Sequence, residues 1–303
     1  MPNLSASASG AFKIGGDLPV HRLGYGTMRL VGEGAWGEPK DPDEARRVLR
    51  RAVELGVTLV DTADAYGPEI AERLICGALH PYPPGLVIAT KGGITRQGPA
   101  KTEYVGRAGY LIQCVEMSLR RLKLERIDFY QLHRIDPRTP LEESLGALRQ
   151  MHEQGKIRHI GLSEVTPDEI EEAEKIVPIV SVQNRYSLAD RRHEQTLTWC
   201  EKRGIAFIPW YPMAAGKLLK PDHPFSRTLA QLAARYSATP AQLSLAWLLH
   251  RSSVMLPIPG TSQVKHLEEN IAAASLQIDP EEWTQLEAAS RGASFQVSRP
   301  RNA

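Results

Sequence analysis

Short apolar runs recur along the chain, separated by longer stretches in which apolar residues return every three or four positions. The runs are Thr58–Val60, Leu86–Thr90, Ile127–Leu132, Ile157–Leu162, Ile179–Val182, Ile205–Ile208 and Val254–Ile258, with a further strand pattern over His21–Thr27. They are apolar nearly throughout instead of alternating, as parallel strands covered on both faces are. The intervening stretches carry one apolar stripe, seen at Ala45, Val48, Leu49, Ala52 and Val53 and again at Leu111, Ile112, Val115, Leu119 and Leu122. That spacing describes surface helices packed inward. Five helix starts share one grammar, Asp41-Pro42-Asp43-Glu44, Thr139-Pro140-Leu141-Glu142, Thr166-Pro167-Asp168-Glu169, Thr239-Pro240-Ala241-Gln242 and Asp279-Pro280-Glu281-Glu282. In each, a capping side chain precedes Pro at the first helical position and Glu or Gln at the third. A helix over Tyr104 to Leu124 ends in Arg120, Arg121 and Lys123, which suit the negative end of its dipole. Ahead of the first strand, Phe12 to Val20 flank Gly15-Gly16-Asp17, a hairpin signal.

Eight strand patterns alternating with eight helical ones, without a linker or composition shift, predict an α/β protein. The expected architecture is a (β/α)8 TIM barrel with an N-terminal β-hairpin and extra helices, built as one domain from residues 1–303. An open doubly wound sheet competes, but no strand is followed by the Gly-x-Gly-x-x-Gly turn of a nucleotide-binding version. The formal charge is +2, from 37 basic and 35 acidic residues, so no strong field points to nucleic acid or an acidic membrane. Met1 to Phe12 lacks the pattern of a secretory signal, and no apolar run approaches the ~20 residues of a bilayer span. Cys76, Cys114 and Cys200 match no metal spacing or disulfide framework; each falls in a helical pattern and reads as a reduced core thiol. The expectation is a cytoplasmic protein with no metal and no nucleic-acid or membrane partner, a monomer favoured over an oligomer although the sequence does not fix the oligomeric state.

Chemistry is expected where apolar runs stop, because the C-terminal strand ends of a parallel barrel carry its active site. Asp61 closes the run Thr58-Leu59-Val60, and Tyr66 lies five residues on. Lys91 directly follows Leu86–Thr90, and His133 follows the run ending at Leu132. Parallel neighbours lie about 4.8 Å apart, so three consecutive strand ends can converge on one point. A phenol is a poor acid at neutral pH, but an ammonium at about 4 Å interacts with a phenolate by roughly 4 kcal/mol at an effective dielectric of about 20. That is enough to make a phenol a useful general acid. Asp61 would supply the counter-ion for Lys91, and a neutral His133 would orient a carbonyl toward Tyr66 and hold the developing oxyanion. Taken singly each residue also has a structural reading, with Arg134 as a charge neighbour of His133; the conjunction carries the weight.

The stretch Asp61-Thr62-Ala63-Asp64-Ala65-Tyr66-Gly67 with Lys91 and Gln131-Leu132-His133 resembles the Asp–Tyr–Lys–His tetrad of the aldo-keto reductases. The likeness extends to Arg22–Met28, Gly161–Glu164, Val182–Ser187, and Ile258–Ser262 with Glu269-Asn270, covering nearly the whole chain. Within the family it looks most like the bacterial subgroup that includes pyridoxal reductases. The resemblance implies a barrel that binds a nicotinamide dinucleotide and reduces aldehydes or ketones, with Tyr66 as proton donor. NADPH is the implied cofactor, with NADH left open. Gly26 and Thr27 belong to its implied site, and Ser163 and Gln183 would hold the nicotinamide carboxamide, beside Glu164 where the family often has Asn. Trp210 would stack on the ring, followed by Tyr211. Pro212, Met213, Gly216 and Lys217 would run beside the pyrophosphate. Ile258, Gly260, Thr261, Ser262, Lys265, His266, Glu269 and Asn270 would hold the adenosine end, although Gly260 and His266 replace a Lys and an Arg that often grip the 2′-phosphate. A small carbonyl substrate, pyridoxal among the candidates, is expected over the loops after the first, fourth and sixth strands and the C-terminal tail. Tyr25, Trp36, Arg185 and Tyr186 are its candidate pocket residues. Two competing readings are a non-enzymatic cofactor-binding relative and a Schiff-base lyase using Lys91.

Overall fold

Gly15 and Gly16 take positive φ, which lets β1 (Ala11–Ile14) turn back antiparallel onto β2 (Leu18–His21) as expected. The computed structural model describes residues 4–212 and 224–291. After the hairpin the chain runs through β3 (Tyr25–Gly26), α1 (Pro42–Glu54), β4 (Leu59–Asp61), α2 (Ile70–Leu79) and β5 (Val87–Gly92). Then come β6 (Ile94–Gly98), β7 (Lys101–Tyr104), α3 (Ala108–Leu122), β8 (Ile127–Leu132), α4 (Leu141–Glu153), β9 (Ile157–Ser163) and α5 (Pro167–Glu174). The remainder is β10 (Ser181–Arg185), α6 (Glu194–Arg203), β11 (Ala206–Trp210), α7 (Pro224–Arg235), α8 (Pro240–Arg251), α9 (Val264–Ala272) and α10 (Pro280–Arg291).

Seven of the strands form one parallel sheet in the order β3-β4-β5-β8-β9-β10-β11. The expected eighth, Val254–Ile258, closes the barrel without being a regular strand. It makes one bridge, Phe207 with Met255, and otherwise mainly accepts: Gly24 N donates to Pro257 O at 2.9 Å and Gly26 N to Pro259 O at 3.4 Å. Pro257 and Pro259 have no N–H to return, so the ladder cannot continue although the polypeptide fills the gap. The molecule is therefore a (β/α)8 barrel whose last stave is held on one side largely by carbonyls.

The barrel interior is apolar, with Leu59, Val87, Ala89, Phe129, Ala206, Ile208, Leu256 and Ile258 in one buried cluster. Ile14, Leu18 and Val20 of the hairpin join that cluster and close its N-terminal end, which leaves the opposite end open for chemistry. Caps at Asp41, Thr166 and Thr239 form as expected, the latter two as full capping boxes. Thr139 differs. Pro140 takes the cap position of α4, and the Thr139 hydroxyl donates to Asp136 Oδ2 instead.

The expected helix start at Tyr104 is also displaced. Tyr104 ends β7, and α3 begins at Ala108. The residues between β5 and α3 form an antiparallel hairpin, β6–β7, turning at Gly98-Pro99-Ala100. On β5 itself, Thr90 and Lys91 face opposite ways. The Thr90 hydroxyl donates to Glu72 Oε1 of α2 at 2.6 Å, and Arg121 of α3 binds the other Glu72 oxygen at 2.5 Å. Glu72 is fully buried and Arg121 nearly so. Arg121 keeps a second partner in Glu69 at 3.1 Å, so Glu72→Gln should lower the unfolding free energy by about 1 to 3 kcal/mol, the cost of removing one charged partner from a buried hydrogen-bonded group. The expected readout is a lower urea midpoint at unchanged slope.

Candidate active site

Parallel register puts the polar residues on one face. Asp61 pairs with Ala89, and Lys91, two residues on and hence on the same face, pairs with Gln131. All point into the mouth of the barrel. Lys91 Nζ donates to Asp61 Oδ1 at 2.5 Å, to Thr62 O at 2.8 Å and to Tyr66 Oη at 3.5 Å. Asp61 Oδ2 accepts from Gln183 Nε2 at 2.8 Å and Gln131 Nε2 at 3.2 Å. The lysine side chain is 0% exposed and the aspartate 2%. Burial works against the charge on Lys91, but the Asp61 carboxylate and the Tyr66 oxygen outweigh it and the pKa is raised. Lys91 is thus held as an ammonium without a lone pair for carbonyl attack, which argues against Schiff-base chemistry.

The Tyr66 loop is tied to the strand ends by Thr62 N to Ala89 O at 2.8 Å and Asp64 N to Lys91 O at 3.2 Å. The Tyr66 ring meets His133 edge to face, with centroids 5.9 Å apart. Burial, followed by the charges of Lys91, Arg134 and Arg96, pushes the His133 pKa well below its ordinary value. The imidazole is therefore neutral at neutral pH, and its buried Nδ1 has no partner among the described residues.

Asp61, Tyr66 and His133 line a cavity of about 370 Å³, with Lys91 behind them. Gly26, Thr27, Ile258 and Gly260 line it on one side, together with Ser163, Gln183, Trp210, Tyr211 and Pro212 from the strand ends. A Cβ on Gly26 would lie 2.7 Å from Ile258 O, and one on Gly260 would lie 2.7 Å from Gly26 O, so only glycine permits this wall. The Trp210 indole donates to Glu164 Oε1 at 2.7 Å, and that oxygen also accepts from Arg185 N at 2.6 Å. Glu164 is therefore behind the indole, fixing its orientation, and does not line the cavity. Ser163 Oγ accepts from Arg134 Nη1 at 2.8 Å.

Several expected site residues lie elsewhere. Tyr25 is buried in the outer core with its hydroxyl on Thr261 O at 2.5 Å. Tyr186 stacks on Trp247 and donates to Glu194 at 2.6 Å, also away from the cavity. Arg185 pairs with Asp190 at 2.9 Å, and Trp36 is 38% exposed outside the cavity wall. Both tyrosines sit at positions facing the helices, which explains their burial. Thr261 is buried, whereas Ser262, Lys265 and His266 are exposed around the start of α9. Asn270 is buried and Glu269 half-buried on the same helix. At the start of that helix Gln263 N donates to Thr261 Oγ1 and Val264 N to Glu44 Oε1. Met213, Gly216, Lys217 and the C-terminal tail lie outside the described residues.

The sequence reading missed Met28, Arg29 and the whole β6–β7 wall, where Ile94, Arg96, Ala100, Thr102 and Tyr104 face the cavity. The signal was present: Ile94-Thr95-Arg96-Gln97 and Lys101-Thr102-Glu103-Tyr104 flank a Gly-Pro pair.

The profile of the Aldo/keto reductase family matches residues 22–291. The chain belongs to that family. An uncharacterized oxidoreductase of Schizosaccharomyces pombe is 48% identical over 94% of this chain and 91% of its own length. The pyridoxine 4-dehydrogenase of Escherichia coli is 41% identical over 94% of this chain and 99% of its own. The crystal structure of an aldo-keto reductase from Klebsiella pneumoniae in complex with NADPH superimposes with a TM-score of 0.79 at 25% identity, covering 94% of this chain and 95% of that one. The protein is accordingly an oxidoreductase, of a family acting on small carbonyl compounds. Among the described residues of this aldo/keto reductase, no helix is long and apolar enough to cross a membrane and no side-chain cluster could hold a metal ion.

The depressed His133 pKa has a stability consequence in this reductase. Below about pH 6.5 the unfolded imidazole takes up a proton that the folded one refuses, so stability falls with pH by up to about 1.4 kcal/mol per unit. His133→Gln removes that loss. Urea titrations from pH 7 to 5 should show a shallower acid decline for the variant than for the wild type.

Proposed function

We propose that this reductase converts an aldehyde or ketone to the alcohol with NADPH, Tyr66 supplying the proton, and that pyridoxal is among its substrates. The observation that carries the reading is the single ammonium of Lys91, shared between Asp61 and the Tyr66 hydroxyl, both of which line the cavity. When bound, the reduced nicotinamide supplies a hydride to the carbonyl carbon. The residues of the chain do the rest. His133, neutral and hydrogen-bond competent, orients the carbonyl oxygen. Tyr66 gives its phenolic proton to that oxygen, and the Lys91 ammonium stabilises the negative charge left on the phenol. Asp61 keeps the ammonium in place, and solvent returns the proton.

The cavity suits the cofactor. The flat face of Trp210 is offered by its bond to Glu164, and Ser163 and Gln183, which line the cavity, would hold a carboxamide. Gly26 and Gly260 let backbone amides approach closely. Arg29 and Arg134 add positive charge for phosphates. Ser262 and Lys265, exposed near the start of α9, would meet a 2′-phosphate and favour NADPH over NADH. NADPH in the Klebsiella relative supports this choice, and the E. coli relative's name supports pyridoxal.

Tyr66→Phe should reduce kcat by about 10²- to 10⁴-fold while leaving NADPH affinity, followed by quenching of tryptophan fluorescence, unchanged. A cofactor affinity that falls in step with turnover would refute the assigned role. Lys265→Ala should raise KM for NADPH and leave KM for NADH alone, measured as oxidation of either cofactor against an aldehyde panel that includes pyridoxal.

A further inference from the structure

The cavity carries more positive charge than the proton-donating machinery uses. Asp61 answers Lys91, but Arg96 and Arg134 are held only by neutral groups among the described residues. The two are placed differently. Arg134 lies beside Trp210, with its guanidinium 5.8 Å from the indole ring, and donates to Ser163, so it belongs to the cofactor wall. Arg96 comes from the β6–β7 hairpin. Its Nε donates to the carbonyl of Ala65, the residue before Tyr66, at 2.6 Å, and its Nη1 to Gly34 O at 3.2 Å. Nη2 has no partner among the described residues. The guanidinium is half-buried, and its charge reaches both the Tyr66 oxygen and His133. A cation in that position, short of a counter-ion, gains by receiving one.

We propose that Arg96 is a specificity-determining residue that binds an ionised oxygen ortho to the substrate carbonyl, so that the enzyme prefers ortho-oxido aromatic aldehydes. The inference rests on the carbonyl-reductase reading above and narrows its substrate class. Tyr66 and His133 take the aldehyde oxygen, and the ortho oxygen on the neighbouring ring carbon falls to the next donor along, the guanidinium anchored beside Tyr66. Pyridoxal meets the requirement because its pyridinium ring keeps the adjacent phenol ionised at neutral pH. A planar guanidinium with a fixed charge suits a phenolate flanked by a carbonyl better than a neutral donor does.

The test compares matched aldehydes with and without the ortho oxygen: pyridoxal against pyridine-4-carbaldehyde, and 2-hydroxybenzaldehyde against benzaldehyde. The wild type should favour pyridoxal over its partner in kcat/KM at neutral pH, and 2-hydroxybenzaldehyde over benzaldehyde once the pH exceeds the phenol pKa. Arg96→Gln should lower kcat/KM for the ortho-oxido substrates about 10- to 100-fold more than for their partners without the ortho oxygen, mainly through KM. Arg96→Lys should restore part of the loss. As pH rises through the phenol pKa of 2-hydroxybenzaldehyde, its KM should fall for the wild type and stay flat for Arg96→Gln. Equal losses on both members of a pair, or no wild-type preference, would overturn the role of Arg96 while leaving the reductase intact. Failure of the wild type to reduce any aldehyde would remove both readings.

Discussion

An ammonium sealed from water must have each of its protons placed, and that requirement organises the mouth of this barrel. Lys91 has three N–H groups, and Asp61, the Thr62 carbonyl and the Tyr66 hydroxyl receive them. Burying such a pair costs several kcal/mol in desolvation, so it is poor evidence for stability. Its value lies in geometry. Gln131 and Gln183 complete the carboxylate, which ties β4, β5, β8 and β10 to one point. A one-residue slip of any of these strands would turn its contributor toward the helices and break the arrangement.

Around that point the charge is unevenly distributed. Asp61 is the carboxylate at the cavity, while Lys91, Arg29, Arg96 and Arg134 surround or line it. Burial, joined by the charges of Lys91, Arg134 and Arg96, keeps His133 neutral and hence able to orient an oxygen without competing to protonate it. The same charges favour a ligand that is negatively charged overall, as a phosphorylated dinucleotide is. The two proline carbonyls of the closing segment hold Gly24 and Gly26 close to it, so the narrow glycine wall and the irregular eighth stave have one cause.

The misplaced tyrosines show how finely parity controls a barrel. Gly26 pairs with Asp61 and faces the cavity, so Tyr25, one residue earlier, faces the outer core. Gln183 lines the cavity, so Arg185 shares its face and Tyr186 turns outward onto Trp247. Both outcomes follow from alternation once Asp61 and Gln183 are taken as inward. Aromatic character beside a motif was the weaker guide.

The order of residues determined the repeated alternation of strand and helix, the N-terminal hairpin and the meeting of Asp61, Tyr66, Lys91 and His133, because these depend on local periodicity and on the rule that chemistry sits at strand ends. Register and packing decided the rest. Folding of residues 94–104 back over the cavity, alignment of Trp210 by Glu164, and the anchoring of Arg96 beside Tyr66 all join residues distant in sequence. Such contacts are set by long-range burial and by the need to satisfy buried donors, which no short window of sequence contains.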